Sequence, residues 1–155
     1  WTMLNLGRVR IKGIDALANM TIHPAKDLFI RGKLQYTYQE AIDVTQKSDT
    51  YYRDQIPYIP WHSGSAILQT EWRSWNFNYS FIYTGERYNQ QENIIYNHTQ
   101  PWYTSDMSLT KSFKWNKYAA KATLEVNNVF SQDYDVILNY PMPKRNYRIT
   151  LSFEL

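Results

Sequence analysis

The feature that most constrains this chain is a two-residue alternation of apolar and polar side chains, sustained over several separate stretches. Between Leu28 and Gln39 one set is Leu28, Ile30, Gly32, Leu34, Tyr36 and Tyr38. The other is Phe29, Arg31, Lys33, Gln35, Thr37 and Gln39. From Asn76 to Glu86, Phe77, Tyr79, Phe81 and Tyr83 oppose Asn76, Asn78, Ser80, Thr84 and Glu86, with Ile82 as the exception. The closing stretch sets Tyr147, Ile149, Leu151, Phe153 and Leu155 against Arg148, Thr150, Ser152 and Glu154. Residues that alternate in this way project to opposite sides of a β-sheet, and a helix cannot segregate them.

Read by this period, the chain contains seven strands: Arg8–Ile22, Leu28–Val44, Trp61–Trp72, Asn76–Tyr88, Thr104–Phe113, Tyr118–Phe130 and Asn146–Leu155. Parity changes at Gly13, which predicts a β-bulge there. The Asn127-Asn128 pair predicts a second irregularity, because one of the two otherwise faces the apolar side. The connections alternate between tight (Pro24–Asp27, Arg73–Trp75, Lys114–Lys117) and long and polar (Thr45–Pro60, Asn89–Tyr103, Ser131–Arg145). Short turns on one side and long loops on the other are the pattern of outer-membrane barrels, and each strand meets the roughly 9–11 residues that cross a bilayer when tilted. The expected fold is all-β, an antiparallel meander forming part of a transmembrane β-barrel. Single-chain bacterial barrels use even strand numbers, so an odd count predicts a piece of a larger wall. An eighth strand in Trp1–Leu6 or Asp133–Tyr140 would change that.

Composition agrees. Aromatic residues make up 17%, with 14 Tyr and 6 Trp, yet the mean hydropathy is −0.61. Rings with polar tips suit a boundary that is greasy on one side and wet on the other. There is no Cys, which excludes disulfides and thiolate metal sites. The 17 basic and 14 acidic residues are interspersed, without the basic stripe that nucleic-acid binding needs. No run of 18 apolar residues forms a transmembrane helix. The chain opens Trp1-Thr2-Met3 without a leader, as expected of a mature chain or a fragment.

Five motifs resemble, in order, the late barrel strands of TonB-dependent receptors. They are Gly7-Arg8-Val9-Arg10-Ile11-Lys12-Gly13-Ile14-Asp15; Ile56-Pro57-Tyr58-Ile59-Pro60-Trp61-His62; Tyr83-Thr84-Gly85-Glu86-Arg87-Tyr88; Val126-Asn127-Asn128-Val129-Phe130-Ser131-Gln132-Asp133-Tyr134; and the final Arg145–Leu155. One departure is the last residue, Leu155, where the family often has Phe; Phe153 stands two before it. The resemblance implies a 22-stranded barrel in the outer membrane of a Gram-negative bacterium, filled by an N-terminal plug and energised by TonB. It implies uptake of a scarce nutrient such as a metal chelate, a corrinoid or a glycan. The plug and upstream strands are not in this sequence, so residues 1–155 are expected to be a C-terminal wall segment, without transport of its own.

The lumen face is expected to carry Arg10, Lys12, Asp15, Arg31, Lys33, Gln35, Glu71, Asn78, Glu86, Asp106, Lys121, Glu125 and Asn127, chiefly as a wet lining that also meets the plug. Candidates for ligand capture in the loops are Tyr51, Tyr52, Arg53, Tyr96 and His98, since rings and Arg bind at low entropic cost. Tyr58, Trp61, Tyr88 and Trp102 lie at strand mouths and are read as an aromatic girdle. The terminal strand's Tyr147, Ile149, Leu151, Phe153 and Leu155 are read as the barrel-assembly strand facing lipid. His23, His62 and His98 have no metal-ligand spacing, and no nucleophile motif is present, so no metal, cofactor or catalytic residue is expected. Asn97-His98-Thr99 is formally a glycosylation sequon, without force in a bacterial protein. The expected partners are outer-membrane lipid, the rest of the barrel with its plug, TonB through that plug, and a small ligand that the sequence does not name. Two other readings fit the alternation: a complete small outer-membrane barrel with a structural or binding role, or a soluble β-barrel binding small molecules with its apolar stripe turned inward.

Overall fold

The computed structural model describes residues 7–154. Its main element is one seven-stranded sheet: β1 (Val9–Ala25), β2 (Leu28–Asp43), β3 (His62–Trp72), β4 (Trp75–Thr84), β5 (Trp102–Trp115), β6 (Tyr118–Asn127) and β7 (Asn146–Glu154). Each strand pairs antiparallel with the next in sequence, a plain meander. The expected strands are all present, with β4 ending at Thr84 rather than Tyr88, β6 at Asn127 rather than Phe130, β1 running on to Ala25, β5 reaching from Trp102 to Trp115, and other ends shifted by one residue. Trp1–Leu6 and Leu155 lie outside the described residues. Asp133–Tyr140 adds no wall strand; within it Asp135–Ile137 pairs with Tyr140–Pro141 as a small ribbon of its own. Among the described residues, β1 and β7 end the sheet and do not pair with each other.

Registers assign the faces, because residues directly opposite on neighbouring strands share one. Following the rungs from Arg31 through Gln69, Asn78 and Ser108 to Glu125 and Arg148 traces a polar face. Following Leu34 through Ala66, Phe81 and Ser105, or Phe77 through Leu109, Leu124 and Ile149, traces the other. From Ile14, Tyr38, Gly64, Tyr83 and Tyr103 down to Ile22, Ile30 and Trp72, that second face carries no charged residue on β1 to β4. Ile82 falls on the polar face, opposite Ser65 and Thr104.

One expectation is corrected here. β1 runs in unbroken register from Val9↔Asp43 to Ile22↔Ile30, so Gly13 is not a bulge. A Cβ at Gly13 would lie 2.7 Å from the Tyr38 carbonyl oxygen; the glycine serves a close approach of β2. Unbroken parity places Arg10 and Lys12 on the face of Ile14, opposite Ile42 and Glu40, and not with the lumen set. The register break of this pair lies lower, between Ile22 and Ala25, beside Pro24, which has no N–H to offer a ladder. The second expected irregularity is present. Asn128 leaves β6 with φ 50°, in a left-handed conformation that Asn tolerates.

This sheet has almost no interior. Among the described residues, Ala41 and Ile42 are the buried hydrophobic ones, whereas Ile149 and Phe153 are 73% and 75% exposed. Hollows of about 300 Å³ (along Gln69, Asn78, Asp106 and Glu125) and about 180 Å³ (along Asn19, Arg31 and Lys33) lie along the polar face. Side chains on that face satisfy one another across strands: Arg31 pairs with Glu71 at 2.6 Å, Arg148 with Glu125, and Thr37 donates to Asp15 at 2.6 Å. A protein whose apolar residues point away from its polar hollows needs an apolar solvent outside. On the membrane reading, an arginine at Ile149 meets lipid and one at Thr150 meets the wet side. In lipid vesicles, Ile149→Arg is expected to destabilise the folded wall by about 2–4 kcal/mol and Thr150→Arg by less than about 1. Urea midpoints check this; equal effects of the two would reverse the face assignment.

Candidate functional site

At one end of the wall the strands join through two-residue turns, Lys26-Asp27, Arg73-Ser74 and Asn116-Lys117. At the other end residues 44–61, 85–101 and 128–145 form three long loops that lock together as a cap. The candidates for ligand capture, Tyr51, Tyr52, Arg53, Tyr96 and His98, all lie there.

The first loop begins as an extension of the sheet. Asp43 N–H donates to Asp54 O at 3.0 Å, Arg53 N–H to Asp43 O at 2.8 Å and Ile56 N–H to Ala41 O at 2.8 Å. Lower down, Gln39 N–H reaches Trp61 O at 2.9 Å. Between these rungs the backbone bulges away, and the Gln55 side chain takes its place. Its Oε1 accepts from Ala41 N–H at 2.7 Å, and its Nε2 donates to Gln39 O at 3.0 Å and Ile59 O at 3.3 Å. Gln55 is fully buried. A primary amide carries the same donor and acceptor as a peptide group, so it can stand in for one.

The second loop starts at Gly85, whose backbone approaches so closely that a Cβ would lie 2.5 Å from His62 O. Arg87–Tyr88 then pairs with His98–Thr99 as a short ribbon, with a 3-10 turn Ile95–Asn97 at its tip. This loop touches the first at several points. Tyr58 N–H donates to Tyr88 O at 2.8 Å, Asn93 N–H to Asp54 Oδ2 at 2.9 Å, and Thr50 bonds Glu92. It holds the third loop through Arg87, which is 3% exposed. Arg87 Nη2 donates to Asp135 O at 2.7 Å and Val136 O at 3.3 Å. Burial holds the guanidinium below its ordinary pKa, opposed by Tyr58 and Asp135 nearby. Trp102 stacks on Tyr134 with ring centroids 4.4 Å apart. Burial, and then Asp106, raises the Tyr134 phenol above its ordinary value. Within the third loop, Asn128 accepts from Gln132 N–H at 2.9 Å and donates to Gln132 O and Pro143 O at 2.8 and 3.2 Å.

The structure separates the ligand candidates. Tyr96 is 90% exposed at the tip of the second loop, beside Ile95 at 79%. His98 is engaged instead, 3.3 Å from Glu86 Oε2 and edge-on to Tyr88. Tyr51 and Tyr52 are half-buried in the first loop, and Asp49 raises the Tyr51 phenol above its ordinary value. Arg53 is exposed, with φ 74°. Of the residues read as a girdle, Trp61 stacks on Tyr38 of β2. Tyr58 and Tyr88 belong to the cap, joined as described, and Trp102 lies opposite Thr84 on the polar face, so it does not turn toward the apolar side. The rings that do share the apolar face are Tyr36, Tyr38, Tyr83, Tyr103 and Tyr147 toward the cap, and Trp72, Trp75 and Tyr118 at the turn end. Tyr147, Ile149, Leu151 and Phe153 all lie on that face too. Sequence reading missed Gln55 and Arg87, whose bonds are long-range, and the apolar pair Ile94-Ile95, which stands out inside a polar loop. No group of three His, Asp or Glu residues among the described ones could hold a metal ion.

The sequence profile described as "TonB dependent receptor-like, beta-barrel" matches residues 1–129, which is 129 of the 155 residues. The chain belongs to that family, one of receptors of the Gram-negative outer membrane and not of enzymes. No curated protein matches it.

Arg87 is the strap between the second and third loops. A hydrogen bond to a charged group contributes about 1.5–3 kcal/mol, so Arg87→Ala is expected to raise opening of the third loop roughly tenfold or more. Chymotryptic cleavage at Tyr140 in the folded receptor measures that opening; an unchanged rate would show that Arg87 does not hold the loop.

Proposed function

We propose that this chain is the wall and outward-loop segment of a TonB-dependent outer-membrane receptor that imports a scarce nutrient: a metal chelate, a corrinoid or a glycan. The observation that carries this reading is the two-faced sheet, open at both edges, with exposed apolar rings on one side and paired charges and hollows on the other. Edges of this kind need neighbours, since unpaired backbone groups in lipid cost several kcal/mol each. The neighbours proposed are the remaining strands of the barrel, with the plug against the polar face and TonB acting through the plug. The segment has no transport of its own.

In the assembled receptor the cap loops form part of the outward mouth. Ligand contact there is assigned first to Tyr96 and its apolar neighbours, with Arg53, Tyr51 and Tyr52 beside them on the adjoining loop. His98 contributes by holding the loop through Glu86 and Tyr88.

The test uses the intact receptor in cells, offered a panel of chelates, corrinoids and glycans. Uptake of one class is expected to cease when TonB is absent. Tyr96→Ala is expected to weaken surface binding of that class about tenfold, which is about 1.4 kcal/mol, at unchanged receptor abundance. Uptake that survives loss of TonB would overturn the transport reading. Undiminished binding by Tyr96→Ala would remove the loop tip from the site.

A further inference from the structure

The unbroken register of β1 has a consequence for the outside of the wall. Lys12 and Arg10 share the apolar face with Ile14, and Arg8 continues the alternation, its carbonyl accepting from Val44 N–H at 2.8 Å. All three side chains are exposed. Among the described residues, Glu40, opposite Lys12, is the one carboxylate on the neighbouring β2 rungs of this face, and no ion pair within 4.0 Å joins the two.

Their depth follows from the strand. The charge-free run on this face, Ile14 to Ile22, covers about 26 Å along the strand at about 3.3 Å per residue. Tilted as barrel strands are, that crosses about 20 Å of membrane, close to the apolar band of about 25 Å. Lys12 lies about 5 Å and Arg10 about 10 Å beyond Ile14, the depth of a headgroup layer, with Arg8 just above. An aromatic tier marks the same boundary independently. Tyr38 sits opposite Ile14 and Tyr36 opposite Ala16, with Tyr36 Oη 2.8 Å from His62 Nδ1 and the rings of Tyr38 and His62 5.3 Å apart. Rings with polar tips collect where hydrocarbon gives way to headgroups.

We propose that Arg8, Arg10 and Lys12, above the Tyr36–Tyr38–His62 tier, form a docking site on the outer wall for the phosphate-bearing headgroups of lipids in the outward leaflet. Charge complementarity selects that occupant: three cations against one carboxylate, at headgroup depth, on a face that carries no charge from Ile14 to Ile22 of the same strand. Long basic side chains reach such phosphates while their methylene stems stay on the apolar surface. The site is separate from the cap and the polar face, and rests on the reading that the apolar face meets lipid.

The test takes the intact receptor in nanodiscs of phosphatidylcholine with one-fifth phosphatidylglycerol, and measures phosphatidylglycerol retained through detergent exchange by native mass spectrometry. A cation near an anionic surface contributes about fivefold, so the triple variant R8Q/R10Q/K12Q is expected to retain roughly twentyfold less, after the offset from Glu40. Lys33→Gln, on the polar face, is expected to change nothing, and R8K/R10K to keep most of the retention. Equal retention by the triple variant and the parent overturns the site and leaves these residues merely solvated. A fluorophore at Leu151→Cys, quenched by brominated phosphatidylcholine, separates the two failures. Quenching with undiminished retention in the triple variant overturns the lipid site alone. Absence of quenching overturns the membrane reading and the site with it.

Discussion

Everything in this structure depends on the backbone ladder. A wall one sheet thick, with Ala41 and Ile42 as its buried hydrophobic residues among those described, cannot be ordered by a packed core. The rungs order it, and their requirement for completeness is unusually strict, because lipid offers no hydrogen bonds to a stray N–H or C=O. Buried backbone outside lipid has the same need for partners, and that need accounts for Gln55. Where residues 57–60 leave the sheet, the side-chain amide bridges Ala41, Gln39 and Ile59 and keeps the top of β2 satisfied on that side. It also makes the two bare edges, β1 and β7, the places where this structure is least complete by its own rules.

The same economy governs the cap. Long loops ordinarily lose order with length, yet these three are tied to each other by few and well-chosen groups. Arg87 reaches from the second loop to two carbonyls of the third, and Asn128 gathers both ends of the third around itself. The tips escape this network: Ile95 and Tyr96 make the second loop's end the most exposed apolar patch of the cap. A mouth that is stiff at its base and bare at its tips can present side chains to a ligand without collapsing into the lumen.

How much of this is legible in the sequence follows from range. A two-residue period is local, so all seven strands, their order and the face of nearly every residue in β2 to β7 can be read from it. Gly13 misleads because its cause is not local. The period around it is ambiguous, with Ile11 and Leu17 on the polar side, and a glycine in a strand signals either a bulge or a close approach. Only the position of the Tyr38 carbonyl decides, and that belongs to another strand. The cap was least legible for the same reason. Bonds such as Arg87 to Val136 span 49 residues, and no pattern within a loop announces them. The exposure of Tyr96, a ring at a loop centre, is a local matter, whereas the engagement of His98 by Glu86 is not.

Correcting the parity of β1 also changes the electrostatics of both faces. On the polar face of the seven strands the cations are Arg31, Lys33, Lys114, Lys121 and Arg148, and the anions Asp15, Asp43, Glu71, Asp106, Glu125 and Glu154. With Arg10 and Lys12 on this face the cations would outnumber the anions by one instead of trailing them by one. Removing them leaves a lining that neutralises itself through pairs such as Arg31–Glu71 and Arg148–Glu125. On the apolar face, by contrast, cations among the described residues occur only at the two ends. Lys111 lies toward the turns, its ammonium 4.4 Å from the Trp75 ring and bonded to Ser74, while Arg10 and Lys12 lie toward the cap. A soluble barrel with this face turned inward would have to bury those charges beside its ligand. In the proposed membrane wall they fall instead where water and headgroups begin.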